Sequence, residues 1–312
     1  MDAELNPTED DDQLYRFTFV DFPVRGQWVR LKRTIADAHA VRSYPAAITD
    51  LLNQMFAAVA MFADNLKFEG AVALQSRGEG GALIRSLAEC RDQQYLRGIA
   101  HLEDDVSSYP GVEDLSVWLG AGQLALSLLP PPDAQQAPYQ GLVELTEPDL
   151  AANLEHYLAV SEQLPSKMFL ASTGDSVSGL LLQRLPSADS ATEISAAADD
   201  EAWSTIVTLA ATITAQELQT LPVKEMLRRL FSEYTCRLHP PRTLAYRCTC
   251  SRQKSDRTLR ILDPTELTSL LEEQGQIHVD CEFCGTRYPY DAVDIGALLG
   301  GTGTSPPGGT PH

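Results

Sequence analysis

Tyr246-Arg247-Cys248-Thr249-Cys250-Ser251-Arg252 and, beyond a spacer of thirty residues after Cys250, Cys281-Glu282-Phe283-Cys284-Gly285 are the stretches on which the fold of this chain turns. Four of the six cysteines fall within these 37 residues, while Cys90 and Cys236 stand apart. In a small secreted chain such clustering suggests a disulfide framework. In an intracellular chain of 312 residues, paired cysteines more often bind metal or carry redox chemistry. Two close pairs flanking a short segment supply four thiolates that can converge on one tetrahedral Zn²⁺. The second pair, C-x-x-C before a glycine, has ordinary zinc-knuckle spacing. The first, C-x-C, is tighter than the usual C-x₂₋₄-C, and a plain structural site has no need of that. Two other readings stay open on the residues alone. One is a closed Cys₄ site that only staples a small domain. The other is a thioredoxin-like C-x-x-C, which should follow a strand and open a helix, whereas Tyr288-Pro289-Tyr290 reads as a strand. His278, three residues before Cys281, is an alternative ligand where four cysteines already suffice. Cys90 reads as an inert buried thiol. Cys236 is a weaker candidate for redox chemistry.

Working outward, 244–247 reads as a strand leading into the first pair. Asp263-Pro264-Thr265-Glu266 opens a helix that runs to about residue 273, with Gly275 suited to its C′ position. Residues 277–279 read as a strand leading into the second pair. The span 243–295 is thus predicted to be a zinc-binding domain of about 50 residues, too small to be secure without help. Structural zinc contributes about 10–16 kcal/mol, so the metal is expected to decide whether this domain folds. Residues 187–242 are predicted to be a linker, with a small, polar loop over 187–200 followed by amphipathic helices. Trp203, Ile206, Val207, Ala210 and Ile213 share one helical face, Thr214 and Glu217 form a capping-box pattern, and Pro222 suits N1 before Val223, Met226, Leu227, Leu230 and Phe231. Residues 14–186 mix strands and helices. Phe17, Phe19, Val20 and Phe22 suggest an opening strand, and 47–66 a buried helix. Further strands are expected over 72–74, 96–100, 124–129 and 142–145, with 130–138 as a hairpin tip. A second long helix opens near Pro148, with Thr146 as candidate N-cap. The predicted class is α+β: an N-terminal mixed sheet/helix domain, a helical linker and a small C-terminal Cys₄ zinc domain. Residues 1–13 read as an acidic disordered tail and 296–312 as a Gly/Pro-rich one.

Composition agrees with a globular protein, at 44% hydrophobic and 21% charged residues. With 24 basic against 43 acidic residues the net charge is −19, which argues against phosphate-driven nucleic-acid binding and against adhesion to anionic membranes. The first twelve residues hold six acids and no base, the opposite of a secretory signal. The longest near-uniform apolar run, 55–63, is nine residues against the ~20 a bilayer needs. The expected location is the cytoplasm. No G-x-S-x-G, H-E-x-x-H or G-x-x-x-x-G-K-[ST] occurs, and the glycines of 78–81 read as a β-turn, so no enzyme is expected.

The cysteine pattern at the end of an acidic chain of this length resembles the redox-regulated 33 kDa chaperonin family of heat-shock holdases. Further landmarks are similar and keep family order from about residue 14 to 295: Val24-Arg25-Gly26, Leu66-Lys67-Phe68-Glu69-Gly70, Leu96-Arg97-Gly98, Tyr139-Gln140-Gly141, Ser161-Glu162-Gln163-Leu164-Pro165 and Leu221-Pro222. The resemblance implies an ATP-independent chaperone that is inactive while Cys248, Cys250, Cys281 and Cys284 hold one Zn²⁺ per chain. It implies redox-active disulfides Cys248–Cys250 and Cys281–Cys284, formed by oxidants and often with heat, with release of zinc and unfolding of the linker. The implied partners are unfolding client proteins and, when oxidised, a second copy of the chain. The competing function is a zinc-ribbon interaction module without redox control.

Overall fold

A computed structural model describes residues 9–65, 70–103, 115–131, 134, 136–143, 145–186 and 193–300. The chain divides into two compact units, Met1–Arg247 and Cys248–His312. The first unit opens with β1 (Gln13–Phe19), β2 (Val24–Leu31), α1 (Arg33–His39) and α2 (Ala46–Asn65). Then come β3 (Ala71–Arg77), β4 (Leu83–Arg91), β5 (Tyr95–Leu102), α3 (Leu115–Leu119), β6 (Gln123–Leu129) and β7 (Tyr139–Val143). It continues through α4 (Leu150–Val160), β8 (Ser166–Thr173), β9 (Ser176–Arg184), α5 (Glu193–Ala210), α6 (Ala215–Thr220) and α7 (Val223–Leu230). Three short strands close it, β10 (Cys236–Leu238), β11 (Arg242–Thr243) and β12 (Ala245–Tyr246). One sheet has the order β10-β1-β2-β9-β8, with β11 also on β1, and the other the order β12-β5-β4-β3-β6-β7. All pairings are antiparallel except β12 on β5.

The centre of this unit is α2, which touches strands of both sheets. By length and composition alone this helix could cross a membrane, a point that the nine-residue run missed. Its environment explains the apolarity instead. Ile48, Leu52, Met55, Phe56, Val59 and Met61 are fully buried against inward residues of both sheets, such as Val29, Leu181, Val72 and Leu96. Helical apolarity on every side is what burial on every side requires. Its buried polar groups are partnered. Asn53 donates to Ser172 Oγ at 3.2 Å and Thr173 O at 3.3 Å. Asp64 accepts from Gln27 Nε2 at 2.9 Å and is ion-paired with Arg242 at 3.2 Å. Glycine at position 26 has a steric reason: a Cβ there would strike the ring of Phe17, its cross-strand partner.

The sheet containing β1, β2 and β9 is buried on its other face too. Strand alternation sends Tyr15, Phe17, Phe19, Trp28, Leu180 and Leu182 away from α2. There they pack with Ile206, Leu218, Val223, Met226, Leu227, Leu230 and Phe231 of the linker. Each such side chain contributes about 1.5–3 kcal/mol by leaving water. Polar bonds hold the α6–α7 junction to the sheet. Arg30 Nη2 donates to Leu221 O at 2.8 Å and Leu218 O at 3.3 Å, the carbonyls ending α6. Asp10 Oδ2 accepts from Val223 N, which opens α7, at 2.9 Å. Tyr15 donates to the other Asp10 oxygen at 2.8 Å, and burial together with that bond pushes its hydroxyl up to about 12.

Several sequence expectations are corrected here. The acidic tail expected over 1–13 is ordered near its end: Asp10 is buried and Asp12 accepts from the amides of Lys32, Arg33 and Thr34 at the start of α1. Acids bind the free N–H groups of helix starts, and that use is not visible in composition. The N-cap of α4 is Asp149, not Thr146, whose N–H instead donates to Asn153 Oδ1. The 187–200 loop is helical from Glu193 onward, and 187–192 lie outside the described residues. Pro222 is the N-cap of α7 rather than N1. The opening strand ends at Phe19, before Val20 and Phe22, and the strand expected at 142–145 is Tyr139–Val143. The boundary at 243 moves to Cys248, because β11 and β12 pair with β1 and β5. The landmark residues 66–69 also lie outside the described residues.

Candidate metal centre

The second unit contains α8 (Arg252–Leu259), α9 (Pro264–Gln274), β13 (Ile277–Asp280), β14 (Arg287–Tyr290) and α10 (Ala292–Gly300). Ser251 caps α8 by accepting from Lys254 N, and Asp263 caps α9 by accepting from Thr265 N at 2.8 Å. The latter helix ends at Gly275, as its residues predicted. The tail expected from 296 is helical up to Gly300, since Leu298 of α10 is buried beside Ile295, and 301–312 lie outside the described residues. The buried apolar cluster is small: Leu259, Leu267, Ile277, Tyr290, Ile295 and Leu298.

Within this unit Cys281 and Cys284 occupy the turn between β13 and β14, which pair antiparallel. Gly285 N donates to Cys281 O at 2.8 Å and Cys281 N to Thr286 O at 2.9 Å. Gly285 has φ +67°, a conformation that glycine adopts without cost. Asp280 and Arg287 face each other at the strand ends and form two bonds of 2.8 Å. Cys248 and Cys250 precede α8. Arg252, at the start of that helix, donates to Pro289 O at 2.8 Å, pairs with Asp294 at 2.7 Å and lies 4.3 Å over the Tyr290 ring. Tyr290 in turn donates to Asp256 at 2.8 Å. One residue thus ties the first cysteine pair to the strand that follows the second.

The four sulfurs lie within 4.8 Å of one another. Cys248 and Cys281 are 3.6 Å apart, Cys250 and Cys284 3.4 Å. Four sulfurs at the Zn–S distance of ~2.3 Å have tetrahedral edges of about 3.8 Å, whereas a disulfide needs ~2.05 Å. The donor set therefore fits a zinc ion, and none of the four sulfurs is joined in a disulfide. Tyr288 donates its hydroxyl to Cys250 Sγ at 3.1 Å, and Thr286 Oγ1 lies 3.1 Å from Cys284 Sγ. For Cys284, burial raises the thiol, but the Thr286 hydroxyl and amide outweigh it and bring the group down to about 7. Burial raises Cys248 and Cys281. A coordinated metal would reverse that by deprotonating its thiol ligands. His278 is not part of the cluster. Its partner across the hairpin is Pro289. Cys90 is buried in β4, its thiol held up by desolvation. Cys236 is half-buried beside a cavity of about 290 Å³ lined by Phe231 and Tyr234, and burial pushes it up to about 11. Neither belongs to the four-sulfur cluster. Sequence reading missed Tyr288 and Thr286 as sulfur partners, although strand alternation already placed Tyr288 on the face of the buried Tyr290.

Comparison with known proteins agrees with this architecture. The model of the family described as Hsp33 protein matches residues 12–291. The 33 kDa chaperonin of Ectopseudomonas mendocina is 38% identical over 303 residues, covering 97% of this chain and all of the relative. That of Pseudomonas aeruginosa is also 38% identical, covering 96% and 99%. The Yersinia pestis protein is 35% identical, covering 94% and 97%. A crystal structure of the 33 kDa chaperonin (heat shock protein 33 homolog) of Thermotoga maritima superposes with a TM-score of 0.73 at 23% identity, over 93% of this chain and 99% of that one. This last likeness is one of fold. With a family model and full-length relatives in agreement, the chain belongs to the Hsp33 family of heat-shock chaperones.

Proposed function

We propose that this chain is a redox-regulated, ATP-independent holdase, inactive when reduced and zinc-bound, that takes up unfolding proteins after thiol oxidation. The observation that carries the reading is the gathering of four sulfurs at a zinc-compatible spacing in a unit with so small an apolar core. Zinc, when bound by Cys248, Cys250, Cys281 and Cys284, would hold them as thiolates and supply about 10–16 kcal/mol of folding energy. Thiolates are the form that oxidants attack. Each pair, with one peroxide, yields a disulfide and two hydroxides. Oxidised sulfurs no longer serve as thiolate ligands, so the second unit loses its main support. Closure within Cys248–Cys250 and Cys281–Cys284 spans the shortest loops and has the lower entropic cost. Cys248 follows directly on Arg247, whose amide bonds Leu96 O beside β12. Unfolding from Cys248 onward therefore frees the end of the segment that closes the first unit. Release of α5–α7 would uncover the aromatic sheet face for a client, and the net charge of −19 helps keep that state dispersed. The reading includes dimerisation on oxidation and a cytoplasmic setting, and it assigns no catalysis, nucleic acid or membrane.

The test follows zinc, thiols and client aggregation together. Reduced protein should carry one zinc and leave a heat-denaturing client unprotected, and peroxide should release zinc and confer protection without nucleotide. Retention of zinc in peroxide would instead favour a zinc-ribbon interaction module.

A further inference from the structure

Helices α1 and α7 both begin without a side-chain cap from their own N-cap residues, Lys32 and Pro222. One short segment far away in sequence supplies the missing acceptors. Asp10, itself buried, accepts from Val223 N through Oδ2 at 2.9 Å. Two residues on, Asp12 accepts from Lys32, Arg33 and Thr34 N at 3.3, 3.0 and 2.9 Å. The Asp12 carbonyl accepts from Leu244 N at 2.8 Å, and Gln13 and Leu14 pair with Thr243 and Arg242. Residues 10–14 therefore bond the start of α7, the start of α1 and the chain that leads to Arg247. Arg30 completes the arrangement from the sheet, holding the carbonyl end of α6 while Asp10 holds the amide end of α7. These are the favourable signs of charge at helix ends. Burial lowers the Arg30 guanidinium, and the charges of Asp11 and Asp10 oppose that.

We propose that residues 10–12 are an autoinhibitory strap, which ties the linker helix α7 to α1 of the core and so holds the linker over the aromatic sheet face. This deepens the redox reading above and rests on it, because there the linker has to leave that face before a client can bind. The two carboxylates have different parts. Asp10 is the end that grips the linker. Asp12 is the end anchored on the core, and among the described residues its side-chain bonds go to the start of α1. A tie fails when either end is lost, so losing the second end after the first changes little. Two independent local bonds would instead contribute separately and add. Hydrogen bonds to a charged group are strong enough for either loss to be measurable.

The experiment is a double-mutant cycle in zinc-loaded full-length protein with Asp10→Ala, Asp12→Gly and both together. Asp12 has φ +56°, which glycine adopts without strain, so Asp12→Gly removes the carboxylate and keeps the turn. Two quantities are read: amide exchange at the α6–α7 junction in the reduced protein, and the rate at which client protection appears after peroxide has released zinc. Each single variant should quicken both about tenfold, which corresponds to ~1.4 kcal/mol. The double variant should be no faster than either single, and zinc content should be unchanged. Effects that add, or an Asp12→Gly protein whose junction exchanges as in wild type, would make Asp10 a local helix cap and overturn the strap. Faster exchange in α2 would mean that the variants merely loosen the core, and overturns it too. Those outcomes leave the redox reading standing. Wild-type protein that releases zinc in peroxide and never protects a client would overturn that reading and this inference with it.

Discussion

The α2 core and the cysteine unit achieve order in opposite ways. Around α2, two sheets bury dozens of apolar side chains, and the buried Asn53 and Asp64 both have partners within the protein. Around the cysteines six large apolar side chains are buried among the described residues, and short helices and a hairpin converge on four sulfurs. The first region carries its stability in its own packing. On the proposed reading, the second would draw its stability from a metal held by the four sulfurs. A molecule built this way can lose one region and keep the other, and the linker helices on the sheet's second face stand between these cases.

The largest test of that contrast is metal removal. Stripping zinc, or Cys281→Ser, should abolish slow amide exchange across 248–300, since about 10–16 kcal/mol is at stake. Strands β3 to β5 should remain protected. If the second unit stays protected without metal, its small core suffices and the contrast collapses. Next comes the linker. Leu227→Asp with Leu230→Asp places two charges against the aromatic sheet face and forfeits about 3–6 kcal/mol of burial. Exchange should rise over 215–231 with α2 unaffected, and the reduced variant should bind clients. An exposed linker in a variant that still binds no client would mean that linker release is not what activates the protein.

Smaller effects sharpen the comparison. Asp10→Ala leaves the Tyr15 hydroxyl and Val223 N–H without their partner, at a cost of about 1–3 kcal/mol. The loss should appear as faster exchange at the α6–α7 junction and little change elsewhere. Thr214→Ala removes one half of the α6 capping box, worth ~1 kcal/mol. Its effect should be confined to faster exchange in α6, and a change in zinc content would contradict the separation drawn here.

Much of the site was legible because its signal is local. Cysteine spacing, the Thr214–Glu217 capping box and the Pro264 start and Gly275 end of α9 lie within a few residues of the groups they serve. The helix at Ala46–Asn65 was legible for a related reason, since a segment apolar on every side needs a buried environment. Less legible were contacts that join distant positions. Asp10 looks like tail composition until Val223, 213 residues later, supplies its donor. Thr146 is as good a cap by type as Asp149, and Asn153 decides between them by taking the Thr146 amide.

By itself the sequence determined the α+β class, the four cysteines that gather, the amphipathic character of the linker and the family likeness. Each of these depends on residue type and short-range spacing. Only the tertiary structure decided that the β1-β2-β9 sheet is covered on both faces, that 236–246 pairs with both sheets, and that Tyr288 reaches Cys250. Strand alternation fixes which residues share a face, but not what lies against that face. That depends on chain crossings between segments far apart in sequence, where packing and hydrogen-bond satisfaction select the partner.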